Sequence, residues 1–321
     1  MNVRFLLLLL PLLVIGCTND EPFTSRDVNV TIENMPMLGA LEGAYVLWFS
    51  YPEDPTADKA NALQHGDESF VAVGRFLVDD AGAIVPFPGE DLNFTLPAGY
   101  NPQLVFDAIV TIEAPGDIPE DPGARLLAGD VRGTEQMGAA DLRLSGGDAF
   151  GRAFEGLDDQ AFYMLTTPST AATDDERSGI WFLATGSRPG LNLPTLPTSR
   201  DNDQWSYQGW AVSAGDTPER LSLGRFLRSD TLDLDAAGTQ GGPVAVGLDV
   251  PGSDFVTGTP RDFSDGSWSV VVSLDPTIGA IDRPFFDFFR TATIPAGAET
   301  GVAGLMPLVF AAPLVSVEFD R

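Results

Sequence analysis

Tyr45-Val46-Leu47-Trp48, followed by Val73-Gly74-Arg75-Phe76-Leu77, returns later in the chain as Tyr207-Gln208-Gly209-Trp210, followed by Leu223-Gly224-Arg225-Phe226-Leu227. Three further matches keep the same order. Asn34-Met35-Pro36 precedes the first pair as Asn192-Leu193-Pro194 precedes the second. Pro88-Gly89-Glu90-Asp91-Leu92 answers Pro251-Gly252-Ser253-Asp254-Phe255, and Val110-Thr111-Ile112-Glu113 answers Val272-Ser273-Leu274-Asp275. Self-similarity repeated in order marks a duplicated unit.

The spacings drift as loops do. Trp48 lies 26 residues before Gly74, and Trp210 lies 14 before Gly224. The first copy therefore carries an insertion over residues 52–68, rich in Asp, Pro and Ala. The second copy carries its own, over residues 230–247. Connections tolerate such changes and paired strands do not.

Around these matches the pattern is alternation, not the helical period. Residues 28–32, 108–112, 269–274 and 315–319 alternate apolar and polar, and 34 Gly with 25 Pro supply turns between them. No stretch sustains an amphipathic helix over three turns, and residues 134–160 are the hardest to assign. Residues 305–319 are interrupted by Pro307 and Pro313 and read as strands. The expectation is all-β: two tandem, related β-sandwich (Ig-like) domains, over 28–150 and 151–321.

The beginning of the chain reads differently. Arg4 precedes an apolar run over residues 5–15, too short for a spanning helix of about 20 residues and suited to a secretory signal. It ends in Val14-Ile15-Gly16-Cys17, which resembles the bacterial lipobox. The resemblance implies cleavage after Gly16 and lipidation of Cys17, so that 1–16 is a signal peptide and 17–27 a lipidated tether. Cys17 is the only cysteine, so it has no disulfide partner within the chain. Thr18 stands where an Asp would favour inner-membrane retention, which points to the outer membrane and a periplasmic or surface-exposed chain.

The chain carries 46 Asp and Glu against 18 Lys and Arg, a formal charge of −28. That balance argues against nucleic acid and anionic lipid surfaces as partners. No Gly-rich phosphate loop is present, so no nucleotide is expected. The partners expected are the membrane, through the N-terminal lipid, and an envelope protein.

Catalytic and metal chemistry find little footing. The single histidine, His65, falls in the first insertion, and no Gly-x-Ser-x-Gly elbow accompanies it. Glu90 with Glu113 is a conceivable carboxylate pair, but Glu90 aligns with Ser253, and a strand-end Glu reads as a solvated cap. No cofactor is expected, apart from a structural Ca²⁺. Its candidates are Asp230, Asp233 and Asp235 before Gly238, since hard cations take loop carboxylates. Asp79 with Asp80, Asp174 to Glu176, and Asp201 with Asp203 are weaker clusters of the same kind. Tyr45 and Trp48 lie three apart, as do Tyr207 and Trp210. On a strand that puts them on opposite faces, one expected in the core and one at the surface or an interface.

The run Tyr-x-x-Trp, then Gly-Arg-Phe, then a strand ending in Glu-x-Pro (Ile112 to Pro115) resembles the extracytoplasmic C-terminal domain of the anti-sigma-K factor (RskA-like) family. Both copies carry versions, over about 30–133 and 190–295. Residues 165–168, 178–182, 190–197 and 207–210 also look like runs in acidic lipoproteins of Bacteroidota. The first family joins its domain to a sigma-binding helical domain and a transmembrane helix, patterns this sequence does not show. The resemblance therefore implies fold and extracytoplasmic location. The resulting expectation is a non-catalytic cell-envelope lipoprotein for protein interaction or envelope sensing. The alternative is a calcium- or glycan-binding surface lipoprotein, and a carboxylate-based hydrolase ranks last.

Overall fold

The computed structural model describes residues 23–52, 68–116, 118–185, 188–196, 204–242, 248–278, 281–291 and 293–321. Cys17, His65, Asp201 and Asp203 lie outside these residues. Among the described residues the chain is built of antiparallel strands joined by turns, with one short 3-10 turn at Pro102–Leu104. The all-β, sandwich-like class expected from the alternation is the observed one.

The first half contains β1 (Arg26–Glu33), β2 (Ala44–Pro52), β3 (Glu68–Val78), β4 (Ile84–Val85), β5 (Thr95–Leu96), β6 (Asp107–Glu113), β7 (Ala124–Asp130), β8 (Arg132–Gly133) and β9 (Met137–Arg143). The second contains β10 (Gln160–Leu165), β11 (Gly179–Thr185), β12 (Arg188–Pro189), β13 (Trp205–Ser213), β14 (Arg220–Phe226), β15 (Gly252–Asp254), β16 (Trp268–Pro276), β17 (Phe286–Arg290), β18 (Ala303–Pro307) and β19 (Leu314–Asp320).

The strand order explains the repeat. One sheet runs β4-β3-β2-β6-β7-β9-β19-β1-β5. Two others run β14-β13-β16-β17 and β12-β11-β10-β18, with β15 on β11. A single bridge, Phe289 to Leu308, joins the last two beside β17 and β18. The large sheet has its own weak junction at the matching place, where β7 and β9 share only Ala128↔Arg143. With the short β4 and β12 set aside, both halves follow one path of eight strands, folded into two layers at that junction. Phe49 of β2 meets Phe319 of β19 across the layers of the first half, with ring centroids 4.8 Å apart.

Seven of the eight strands occur in the same chain order in each half. The eighth does not. In the second half the slot beside β11 is filled by β10, which precedes it. In the first half the slot beside β1 is filled by β19, the last strand in chain order. It pairs with β1 from Val28↔Phe319 to Glu33↔Leu314 and with β9 from Leu314↔Arg143 to Asp320↔Met137. Residues 314–320, grouped with the second copy on sequence, therefore sit inside the first copy's sheet. The reason is physical: a strand's sequence states which face is apolar, but not which distant edge it will pair with.

The halves also share one continuous core, running from Val28 through Phe182 and Trp205 to Phe319. Trp205 donates its indole N–H to the Arg125 carbonyl at 3.1 Å and packs on Phe150. Arg283 forks onto Glu42 at 2.7 and 3.0 Å and also reaches the Met37 carbonyl. β2 is apolar from Ala44 to Phe49, and every residue of it is buried, Ser50 included.

One match fails. Residues 88–90 form a turn, whereas Gly252–Asp254 is β15. The counterpart of β15 in the first half is β5, which pairs with β1 as β15 pairs with β11. The shared Pro-Gly reflects turn chemistry rather than equivalent position.

Candidate functional site

The repeated letters settle into two repeated polar units. In the first, the Tyr45 hydroxyl donates to the Pro36 carbonyl at 2.9 Å, and its ring stacks on Phe76 at 5.3 Å. In the second, Tyr207 donates to the Pro194 carbonyl at 3.0 Å and packs on Phe226 at 5.5 Å. Each Tyr sits directly opposite its Phe in the strand register. The glycine before each Phe is required by close approach. A Cβ on Gly74 would lie 2.5 Å from the Asn93 carbonyl, and one on Gly224 would strike the Asp233 carboxylate. Gly224 also has φ +102°, which other residues adopt only with strain.

The second unit uses the tryptophans. Trp48 donates to the Thr111 hydroxyl at 2.8 Å, and that hydroxyl donates to Glu113. Glu113 accepts in turn from the Gly123 amide at 2.8 Å. Trp210 donates to Ser273 at 3.0 Å and Asp275 at 3.1 Å, and Asp275 accepts from the Phe285 amide at 3.0 Å. Each carboxylate thus fixes an amide ten residues further on. Two expectations change here. Trp48 and Trp210 do face away from their tyrosines' side of the strand, but they are buried, not superficial. Glu113 is buried too, not a solvated cap. Strand sequences reveal alternation, while the loops that cover the second face are distant in sequence.

A third tryptophan follows the same chemistry. Trp181 donates to Asp254 at 2.8 Å, whose other oxygen accepts from the Ser169 amide at 2.9 Å. Trp181 lies on the outer face of its sheet with Ala237, Val250 and Leu248. Ala237, Leu248 and Val250 thus cover that face at Trp181. Phe162, Met164 and the exposed Leu305 continue the face beyond its cover.

Burial governs these carboxyls. It pushes Glu113 and Asp254 above the usual range, against the donors that hold them. It lifts Asp275 to about 6, opposed by Ser273, the Phe285 amide and Trp210. Asp233 is pushed to about 7 by burial, with Asp235 adding to the rise and the Gly252 amide opposing it.

The calcium candidates are drawn apart in purpose. Asp230 is exposed and pairs with Arg228 at 3.2 Å. Asp233 is buried against Gly224 and accepts from the Gly252 and Asp235 amides. Asp235 is exposed, and its carbonyl accepts from Gly238. Asp79 caps its own turn through the Ala81 and Ala83 amides. Asp175 accepts from Thr170, and Glu176 from the Thr166 hydroxyl. Among the described residues no group of three or more His, Cys, Asp or Glu is placed to hold a metal ion. The Glu90–Glu113 pair divides as well: Glu90 is held by Arg75 at the surface, and Glu113 by Thr111 inside.

Two surface depressions measure about 650 Å³ each, within the range of small-ligand sites. One lies over β7, β9 and β19, where Asp130–Arg132 and Asp141–Arg143 pair among themselves. The other lies between β14 and residues 255–268. Leu221, Phe255 and Trp268 contribute to its lining, along with Arg261, Asp262 and Asp265. Phe263 braces the aromatic wall from beneath, T-shaped to Phe255 at 5.4 Å and to Trp268 at 5.2 Å. Arg261 is fixed by a two-pronged bond to Glu219 at 2.6 and 2.9 Å, and its guanidinium lies 5.9 Å from the Trp268 ring centre. Sequence reading missed this groove because its walls come from separate segments with no motif between them.

Fold and groove together define a two-layered, all-β chain with a preformed surface cleft. No protein-family model, curated protein or solved structure matches it.

Proposed function

We propose that this protein is a non-catalytic cell-envelope lipoprotein, held to a membrane through Cys17, whose duplicated β-layers display surfaces for binding another protein. The observation that carries the non-catalytic reading is the matched use of buried carboxylates. Glu113 and Asp275 sit at equivalent strand ends and are occupied by a tryptophan unit and a backbone amide. A general acid or base must reach a reacting proton. These groups reach only the fold's own donors, so their raised pKa values have a structural cause. The RskA-like resemblance supports an extracytoplasmic setting, and the net charge of −28 directs binding toward basic surfaces.

The anchor is tested by following Cys17→Ser through cell fractionation and labelled-palmitate uptake. The intact chain takes up label and sediments with membranes, and the variant does neither. Equal sedimentation of both, with no label in the intact chain, overturns the anchoring.

A further inference from the structure

We propose that the groove beside β14 binds an extended, basic peptide segment of another protein, which adds as a strand to β14. This rests on the protein-interaction reading above and gives it a site and a partner chemistry.

The main-chain geometry comes first. Among the described residues β14 ends its sheet and pairs with β13 alone. The Ser213 amide donates to the Glu219 carbonyl, and Ser213 lies opposite Glu219 in the continued register. In an antiparallel pair, alternate residues direct both main-chain groups at the partner. Glu219 and Leu221 therefore face β13, and the N–H and C=O groups of Arg220 and Ser222 point off the sheet. Among the described residues none bonds to those four groups. Farther along, the Leu234 amide meets the Arg225 carbonyl, so the insertion covers that end of the strand. The open stretch is short and adjoins the groove. An unpaired strand edge is a template for a further strand.

Side-chain chemistry then selects the occupant. Leu221, Phe255 and Trp268 line the groove with apolar surface, suited to one apolar side chain of an extended segment. At the rim, Asp262 and Asp265 each use Oδ1 locally. Asp262 accepts from the Ser264 amide and hydroxyl, and Asp265 from those of Ser267. Their Oδ2 atoms accept no hydrogen bond from a described residue. Arg261, the cation at this rim, is already committed to Glu219. The open valences of the groove are thus carboxylate oxygens and strand-edge amides, on a chain of net charge −28. A Lys or Arg beside a β-branched residue fits both, and another copy of this acidic chain does not.

The test uses the full chain and a pool of capped octapeptides alternating Val, Ile or Thr with Lys or Arg. A matched pool with Glu and Asp is the control. The expected result is saturable binding of the basic pool alone, with slowed amide exchange at Arg220 and Ser222. Arg220→Pro removes one edge donor where a strand's first residue tolerates proline. It should cut affinity at least tenfold without moving Tm. Asp262→Asn with Asp265→Asn should weaken binding similarly and flatten its dependence on salt. No binding by the basic pool, equal binding by the acidic pool, or affinity unchanged in Arg220→Pro overturns the proposal. So does a neutral oligosaccharide that binds the groove when the peptides do not. Photo-crosslinking in cells from position 221 and from Leu305 separates the two readings. A protein captured at 305 but not at 221 overturns this groove alone. Capture at neither position counts against the interaction reading as well.

Discussion

The two halves of the molecule keep the same interior and close it differently. Tyr45, Phe76 and Pro36 repeat as Tyr207, Phe226 and Pro194, and Trp48, Thr111 and Glu113 repeat as Trp210, Ser273 and Asp275. Both halves bend at a junction of one bridge. Yet the slot beside β1 is filled from the far end of the sequence, and the slot beside β11 from just before it. Paired positions inside a layer are constrained on both faces. The identity of the strand that closes a layer is constrained only by pattern and reach, so duplication can preserve the first while the second is rearranged.

That contrast can be broken first at the closing strand. Phe319 is buried against Phe49 of the facing layer and anchors β19 in its place between β9 and β1. Phe319→Ala should cost about 3–5 kcal/mol, read from the urea midpoint. A loss under about 1 kcal/mol would mean that β19 is only loosely docked.

Next is pH. A carboxyl raised in the folded state adds stability that is fully present below its unfolded value and lost as pH rises through the folded one. For Asp275, between 3.8 and about 6, the loss is on the order of 3 kcal/mol. Glu113, Asp233 and Asp254 act in the same sense. Stability should therefore fall from pH 4 to pH 7, and Asp275→Asn should make the fall shallower. An unchanged slope in that variant would show Asp275 to be freely ionised in the fold.

The tyrosines sharpen the equivalence itself. Tyr45→Phe and Tyr207→Phe each remove one hydroxyl bonded to a proline carbonyl, which should cost about 1 kcal/mol in either half. Costs that differ severalfold would mean the units are alike in geometry but not in energy. The smallest effect belongs to Asp230, at the surface with Arg228. Asp230→Asn should leave Tm unmoved, with calcium or with chelator.

Much of this was legible in the sequence, and the reasons are local. The Tyr-x-x-Trp and Gly-Arg-Phe runs could be read because register places Tyr opposite Phe and close approach demands the glycine. The alternation of residues 315–319 revealed a strand. Its place between β9 and β1 was not legible, since pairing across the whole chain leaves no local mark. The burial of both Tyr45 and Trp48, and of Glu113, was not legible for a similar reason: a strand's own residues do not show what covers its second face. The groove beside β14 combines Leu221, Phe255 and Trp268, which only the fold brings together.

The central claim, that β19 belongs to the first half, is tested most directly by amide hydrogen exchange. The intact chain should be compared with one ending before Leu314. Residues 28–32 and 138–142 should lose protection in the shortened chain, while residues 206–211 and 270–274 keep most of theirs. Unchanged protection at 28–32 and 138–142, or loss confined to the second half, would contradict it.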